Sequence, residues 1–342
     1  MTLQEIADKV GVSRTTVSNV LHGKTKKVSK NTMNKIAKIL ENEGYIPNMS
    51  SLVMAKKSSR IIGLVLGACK FHHMPAIQTP FISEFLSQLQ IEAQNTGYYI
   101  MIISGEKIEN IIDIVSRWYI DGLILFSFSE PKYQLLTQKL NKAMVLIDYY
   151  PAQGFKHINV GIDDYSGGYQ IGNYLYQNNH KNVLFIAETK KDSDYQRWLG
   201  IKEAQEQNGN ICTDARYIIL DPYLLDVRSF YKKNLDKFFE AGALSFSSDY
   251  RAIEAMEILF KLGANIPNDI SITGFDNNLY CKFARPSLTT VNQDVKLKAK
   301  IAFKQLLKII NNEIIPISEE RINSPVQLIV RNSVKNKAGL NK

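Results

Sequence analysis

TLQEIADKVGVSRTTVSNVLHG, residues 2–23, is the stretch from which the organisation of this chain is read. Leu3, Ile6, Ala7 and Val10 recur at helical spacing and predict a helix from about Leu3 to Lys9 with one buried face. Gly11 interrupts the pattern, and the Ser13 hydroxyl is suited to cap a second helix, Arg14 to Leu21, whose inner face is Val17 with either Val20 or Leu21. The outer face carries Arg14, Thr15, Thr16, Ser18 and Asn19, which are hydrogen-bonding groups rather than a mixture of acids and bases. Helix, tight turn, helix with such a face suits reading of the DNA major groove. A small solvated helical hairpin is the competing reading.

The charge distribution favours the first. The chain of 342 residues has a formal net charge of +9, with 45 % hydrophobic and 22 % charged residues, as in a water-soluble globular protein. Residues 1–57 hold ten Lys or Arg against four Asp or Glu, so most of the excess lies in that segment and points to a polyanion. The N-terminal helices are too polar for membrane insertion. Cys69, Cys212 and Cys281 form no pair motif and read as free thiols of a reducing compartment. With no leader and no run of 18 apolar residues, a cytoplasmic location is expected.

Downstream of Gly23, Lys24, Lys26, Lys27 and Lys30 form a basic loop. A third helix with Met33, Ile36, Ala37 and Leu40 on one face is expected to end at Gly44. Pro47 and Asn48 then introduce a short segment, Ser50 to Lys57, too short to be a stable helix alone and read as a linker that orders on binding. From Ile61 the pattern becomes alternating apolar strands and amphipathic helices: IIGLVLGA, PFISEFLSQLQIEAQNTGY, YIMIIS, IIDIVSRWYI, DGLILFS and onward. This is the pattern of a parallel sheet covered on both faces. The rhythm restarts with HINVGID as the first strand of a second series, which includes a single helix through SFYKKNLDKFFEAG. Two α/β lobes facing each other across a cleft are expected, with ligands at the carboxyl ends of the strands. A long amphipathic helix, VKLKAKIAFKQLLKIINN, the possible strands EERINS and VQLIVR, and a frayed KNKAGLNK complete the chain.

In their order and spacing these segments resemble the LacI/GalR family of bacterial transcription regulators. The similarity is carried by TLQEIADKVGVSRTTVSNVLHG, VSKNTMNKIAKILENEGYIPN, SSRIIGLVL, DGLILF, VLID, DDYSGGYQIGNYLYQNNHKNVLFI, RWLGIKEA, SSDYRAIEAMEIL, IPNDISITGFDNN and PSLTTVNQD. It implies an N-terminal all-α helix-turn-helix headpiece (1–46), a hinge helix and linker (47–59), an α/β two-lobed core like periplasmic binding proteins (60–332) and a flexible tail (333–342). It also implies a homodimer on nearly palindromic operator DNA, and a small effector, first of all a sugar or sugar phosphate, whose binding is coupled reciprocally to DNA affinity.

Carried over residue by residue, the resemblance assigns major-groove reading to Arg14, Thr15 and Asn19 and phosphate contacts to Ser13 and Thr16. In the hinge it matches Asn48, Ser51, Leu52 and Met54. Leu52 stands where the family has an arginine and Met54 where it has a minor-groove leucine wedge; Lys56 and Lys57 offset part of the missing charge. In the cleft it points to Arg197 and Asp276 as the principal effector contacts, with Phe71, His72, Asp163, Tyr223 and Ser248 beside them. Asp164 is read as the cap of the following helix. Ser248–Asp249 replaces a frequent Asn-Asp pair, and the segment after the first strand has His72 and His73 before Pro80–Phe81, whereas the family places an Asn or Asp immediately before that Pro, so the particular sugar is left open. A nucleobase or another metabolite, acting as corepressor, is the alternative effector. A cytoplasmic binding protein with degenerate DNA recognition is the alternative function.

No metal site is expected, because His72 and His73 diverge as neighbours and no third ligand follows at metal spacing. Asp163, Asp164, Gly167 and Gly168 contain no phosphate-loop pattern, so no cofactor is expected. No nucleophile elbow or acid–base pair can be placed by spacing, and an enzyme is not expected.

Overall fold

The computed structural model describes residues 2–21, 25, 28–43, 58–67, 70–71, 74–105, 107–150 and 157–337. The headpiece consists of α1 (Leu3–Val10), α2 (Arg14–Leu21) and α3 (Lys30–Asn42). Thr2 caps α1 in a reciprocal arrangement: its hydroxyl accepts from Glu5 N at 3.3 Å while the Glu5 carboxylate accepts from Thr2 N at 2.8 Å. Gly11 turns the chain with φ +74°, a conformation that costs a side-chain-bearing residue energy. The three helices meet on Ile6, Ala7, Val17 and Ile36, with both Val20 and Leu21 packed around them. Ala37, expected on the inner face of α3, is exposed; Ile39 and Leu40, three and four residues beyond Ile36, complete that face.

The core enters through a carboxylate clamp. Asp121, the acid of DGLILF, accepts from Ser58 Oγ at 2.5 Å, Ser59 N at 3.0 Å and Arg60 N at 3.1 Å. The clamp thus ties Ser58 and Ser59, ahead of residue 60, to the core. The first lobe holds β1 (Ile61–Leu66), the small hairpin β2 (Lys70–Phe71) and β3 (Met74–Pro75), α4 (Pro80–Thr96), β4 (Tyr99–Ser104), α5 (Ile108–Arg117), β5 (Gly122–Phe126), α6 (Glu130–Lys139), β6 (Ala143–Ile147) and β7 (Asn159–Ile162). The second contains α7 (Asp164–Gln177), β8 (Val183–Ala187), α8 (Asp192–Gln207), β9 (Tyr217–Ile219), α9 (Val227–Lys233), α10 (Leu235–Ala241), β10 (Ala243–Phe246), α11 (Asp249–Lys261), β11 (Ser271–Thr273) and β12 (Thr290–Asn292). The chain then returns to the first lobe through α12 (Val295–Ile310) and β13 (Arg321–Ser324), and ends in the second with β14 (Gln327–Ile329), antiparallel to β12.

The first sheet runs β13-β7-β6-β5-β1-β4 and the second β11-β10-β8-β9, with parallel pairing throughout both. Alternation along β1 and β5 divides the first lobe's core. Ile62, Leu64, Leu66, Ile124 and Phe126 face α4 and α12, whereas Val65, Leu123 and Leu125 face the α5 and α6 side. Three connections join the lobes, at residues 162–164, 292–295 and 324–327.

Three expectations are corrected. HINVGID does not open the second lobe: β7 pairs with β6 and β13 in the first sheet, and the second series begins at α7. An apolar strand preceding a helix carries no mark of which sheet it joins. The single helix expected through SFYKKNLDKFFEAG is two helices meeting at Asn234. Residues 333–337, expected within a flexible tail, are packed on the second lobe. Ser333 is buried, donates from Oγ to Ile272 O at 2.5 Å and accepts from Thr289 N at 2.8 Å; Lys337 N donates to Asn178 O at 3.1 Å. Backbone pairing holds this segment where side-chain periodicity was silent. No helix among the described residues is long and apolar enough to cross a membrane.

Candidate functional site

Two surfaces can recognise something. On α2, Ser13 Oγ accepts from Thr16 N at 3.1 Å and lies 2.9 Å from Thr16 Oγ1, so both hydroxyls take part in the cap. Arg14 and Thr15 are exposed and Asn19, one turn beyond Thr15, is half-buried. Thr15 and Asn19 thus lie one above the other, opposite the buried Val17, with Arg14 at the first residue of α2 beside them. Ser51, Met54, Lys56 and Lys57, the hinge candidates, lie outside the described residues, as does His72. Phe71 falls in β2.

The second surface is a cleft of about 730 Å³ between the lobes, lined by the segments that follow β5, β6, β8, β10 and β11, the start of α4, and Gln293. These are carboxyl ends of parallel strands, where an open sheet leaves room for a ligand. The first lobe supplies Phe81, Phe126, Phe128, Tyr149 and Tyr150; the second supplies Arg197, Ser248, Tyr250 and Asp276.

Arg197 is placed by helix contact. On α7, a Cβ at Gly168 would lie 1.9 Å from Arg197 O, and on α8 one at Gly200 would lie 2.0 Å from Tyr165 O. Glycine here brings the two backbones together, which sets Arg197 beside Asp164. Arg197 Nε donates to Asp164 Oδ1 at 2.7 Å, an Nη1 hydrogen goes to Ser247 O, and the guanidinium carbon sits 3.7 Å from the centre of the Phe275 ring. The other Asp164 oxygen accepts from the Tyr150 hydroxyl, a bond from one lobe to the other. Burial alone disfavours the cation, but the carboxylates of Asp164, Asp276 and Asp194 outweigh it and hold the guanidinium pKa above its usual value.

Asp276 terminates the run ISITGFD with φ +119° and accepts from Gln293 Nε2 at 2.5 Å. Burial, then the Asp249 carboxylate, raise its pKa to about 7. Asp249 itself is buried, accepts from Thr290 Oγ1 at 2.5 Å and Asn278 N at 2.8 Å, and is pushed up to about 6 mainly by burial. In the first lobe Lys298 is fully buried, with Nζ 2.7 Å from each Asp148 oxygen and 2.7 Å from Gln293 Oε1. Among the described residues, five lining carboxylates, Glu130, Asp148, Asp192, Asp194 and Asp276, face two lining cations, Lys191 and Arg197, and Lys298 lies behind Asp148.

Arg197, Asp276 and Ser248 are therefore brought together in the cleft, with Ser248 also capping α11. The cap expected of Asp164 is made by Asp163, and neither acid lines the cleft. Asp163 is exposed, caps α7 through Ser166 N at 2.9 Å and is not part of the lining, while Asp164 is buried against Arg197. Adjacent acids at a helix start cannot be told apart by spacing. Tyr223 is likewise outside the lining and exposed. Sequence reasoning missed Tyr150, Asp148, Gln293 and Lys298, because their partners lie far along the chain. Among the described residues no group of three His, Cys, Asp or Glu is placed to hold a metal ion.

Comparison with known proteins supplies the relationship. The model for bacterial regulatory proteins of the lacI family matches residues 2–48, that for periplasmic binding proteins and the sugar binding domain of the LacI family matches 72–215, and that for a periplasmic binding protein-like domain matches 173–334. The HTH-type transcriptional repressor PurR of Histophilus somni is 27 % identical over 344 residues, covering 98 % of this chain and 99 % of that protein. The repressor CytR of Escherichia coli is 28 % identical over 298 residues, 85 % of this chain and 84 % of that one. Among solved structures, the lac repressor dimer bound to operator and the anti-inducer ONPF superposes with a TM-score of 0.80 at 19 % identity, over 98 % of this chain and 99 % of that chain. The regulator CelR in complex with cellobiose gives 0.71 at 23 % identity, over 97 % and 99 %.

Proposed function

The chain belongs to the LacI family of bacterial transcription regulators and is a ligand-responsive, DNA-binding repressor; on that premise we propose that its effector is an uncharged, hydroxyl-bearing ring compound, a sugar before any phosphorylated one. The observation that carries this reading is the cleft lining. Arg197 and Asp276 offer a donor fork and an acceptor to vicinal hydroxyls, and Phe81, Phe126 and Tyr150 supply apolar faces. Among the described residues the lining holds more acids, Glu130, Asp192, Asp194, Asp276 and the Lys298-paired Asp148, than cations, which disfavours a phosphate dianion to the extent that those acids are ionised. Structural neighbours are described with cellobiose, D-xylulofuranose and ribose bound, which supports the same class. A heteroaromatic ring is the second reading, favoured by the number of aromatic side chains around the cleft.

Within this reading Arg14, Thr15 and Asn19 face bases of one half-site, and Ser13 and Thr16 face phosphates. Ser51, Met54, Lys56 and Lys57 belong to the hinge contact at the operator centre. The chain acts as a homodimer, whose partner surface includes the exposed Leu279, Tyr280, Phe283 and Phe260 of the second lobe. The effector reading is tested by thermal-shift screening of sugars, their phosphates, nucleosides and nucleobases. Stabilisation by a free sugar, with its phosphate ester inert, is the expected result; stabilisation by sugar phosphates alone, or by a nucleobase alone, overturns it.

A further inference from the structure

Lys298 is the only buried lysine among the described residues, and packing does not explain it. A charge taken from water costs several kcal/mol before its partners repay it, and an apolar side chain of that length would fill the same space. What the ammonium does is visible in its contacts. It meets both oxygens of Asp148 at 2.7 Å and Gln293 Oε1 at 2.7 Å, and lies 5.1 Å from the centre of the Phe81 ring.

An ammonium only donates, so it fixes which end of the Gln293 amide faces it. The oxygen must point to Lys298, and the amide NH2 must then point to Asp276, where it donates at 2.5 Å. One arm of the contact thus reaches the second-lobe carboxylate that faces the cleft. The other arm holds Asp148, which has φ +50° and is two residues before Tyr150, the residue whose hydroxyl crosses to Asp164 and so to Arg197. Both arms start in the first turn of α12, just after the chain has crossed between lobes.

We propose that Lys298 is a positioning residue of the effector site, which through Gln293 orients Asp276 and through Asp148 orients Tyr150, so that both walls of the cleft are set from one side chain. This inference rests on the cleft being the effector site, and it adds a residue that touches no effector. It also makes the acidity of Asp276 report on Lys298. Asp276 is faced by Asp249 from the start of α11, Arg197 from α8, Gln293 from the lobe crossing and Lys298 from α12.

The test is a carboxyl 13C NMR titration of Asp276 in the full-length, ligand-free protein, with the resonance assigned by Asp276→Asn. The wild type is compared with Lys298→Met/Asp148→Asn, which removes both partners and strands neither charge. The expected result is a cooperative melt, an Asp276 midpoint moved up by about one pH unit, and altered Gln293 side-chain amide resonances. An unchanged midpoint with unchanged amide resonances in the folded variant overturns the proposal. Should that variant not fold, Gln293→Leu keeps the Lys298–Asp148 pair and cuts the relay: Asp276 is then expected to move up while Asp148 does not, and a stationary Asp276 overturns the proposal. Because the titration uses neither effector nor DNA, its failure is distinguishable from a failure of operator binding or of effector class.

Discussion

The headpiece and the cleft each present an arginine, in opposite settings. Arg14 stands exposed on α2, whereas Arg197 is buried, paired with Asp164, bonded to a carbonyl and laid over Phe275. Among the described residues the first has no partner outside its helix, so removing it should cost the proposed DNA contact and little else. The second is part of the fold, so its proposed role in recognition cannot be changed without changing stability. A surface on one helix can be built from local spacing, whereas a cleft between two lobes needs side chains braced across the whole chain.

The largest expected effect breaks the buried side of this contrast. Arg197→Met leaves the Asp164 carboxylate buried without its cation and should lower unfolding stability by about 3–5 kcal/mol, read by denaturant titration; a loss below about 1 kcal/mol would mean that Arg197 is not structural. Arg14→Ala is the counterpart. It should weaken specific operator binding by about 1–3 kcal/mol while the melting temperature stays unchanged, as measured by fluorescence anisotropy beside a thermal melt.

Asp276→Asn probes the cleft through pH. The folded pKa of about 7 lies above the ordinary value, so the acid contributes stability below its unfolded pKa and loses that contribution as pH rises through about 7. Relative to wild type, the Asn variant should therefore become progressively more stable between pH 4 and 8. A difference constant with pH would contradict the burial and Asp249 repulsion assigned to this site. The smallest effect is expected at Tyr223, which is exposed and apart from the lining. Tyr223→Ala should change effector affinity by less than about 0.5 kcal/mol in calorimetry, and a large loss would return Tyr223 to the site.

The same contrast explains what the sequence could say. In the headpiece, Leu3, Ile6, Val10, Gly11 and Ser13 report their roles by spacing alone, while Met33 and Ala37, expected on the inner face of α3, are not among the residues packed in its core. The alternating apolar segments made the two-lobed core readable, and RWLG and GFD located Arg197 and Asp276. Spacing failed where a decision belonged to distant chain. Whether β7 joins the first or second sheet depends on β13, far downstream. Which of Asp163 and Asp164 caps a helix depends on Arg197 and Tyr150. Lys298 looks like one more lysine on an amphipathic helix until Asp148, 150 residues earlier, is placed against it.

The central claim is that the headpiece reads a specific duplex and the cleft controls that reading. Selection of the intact protein's preferred sites from a random duplex library, followed by binding curves with and without a ligand found in the thermal-shift screen, tests it most directly. A nearly palindromic site, whose affinity changes at least about tenfold, or 1.4 kcal/mol, with ligand in the wild type, is the predicted result. Sequence-blind, salt-sensitive binding that ignores every stabilising ligand would contradict it.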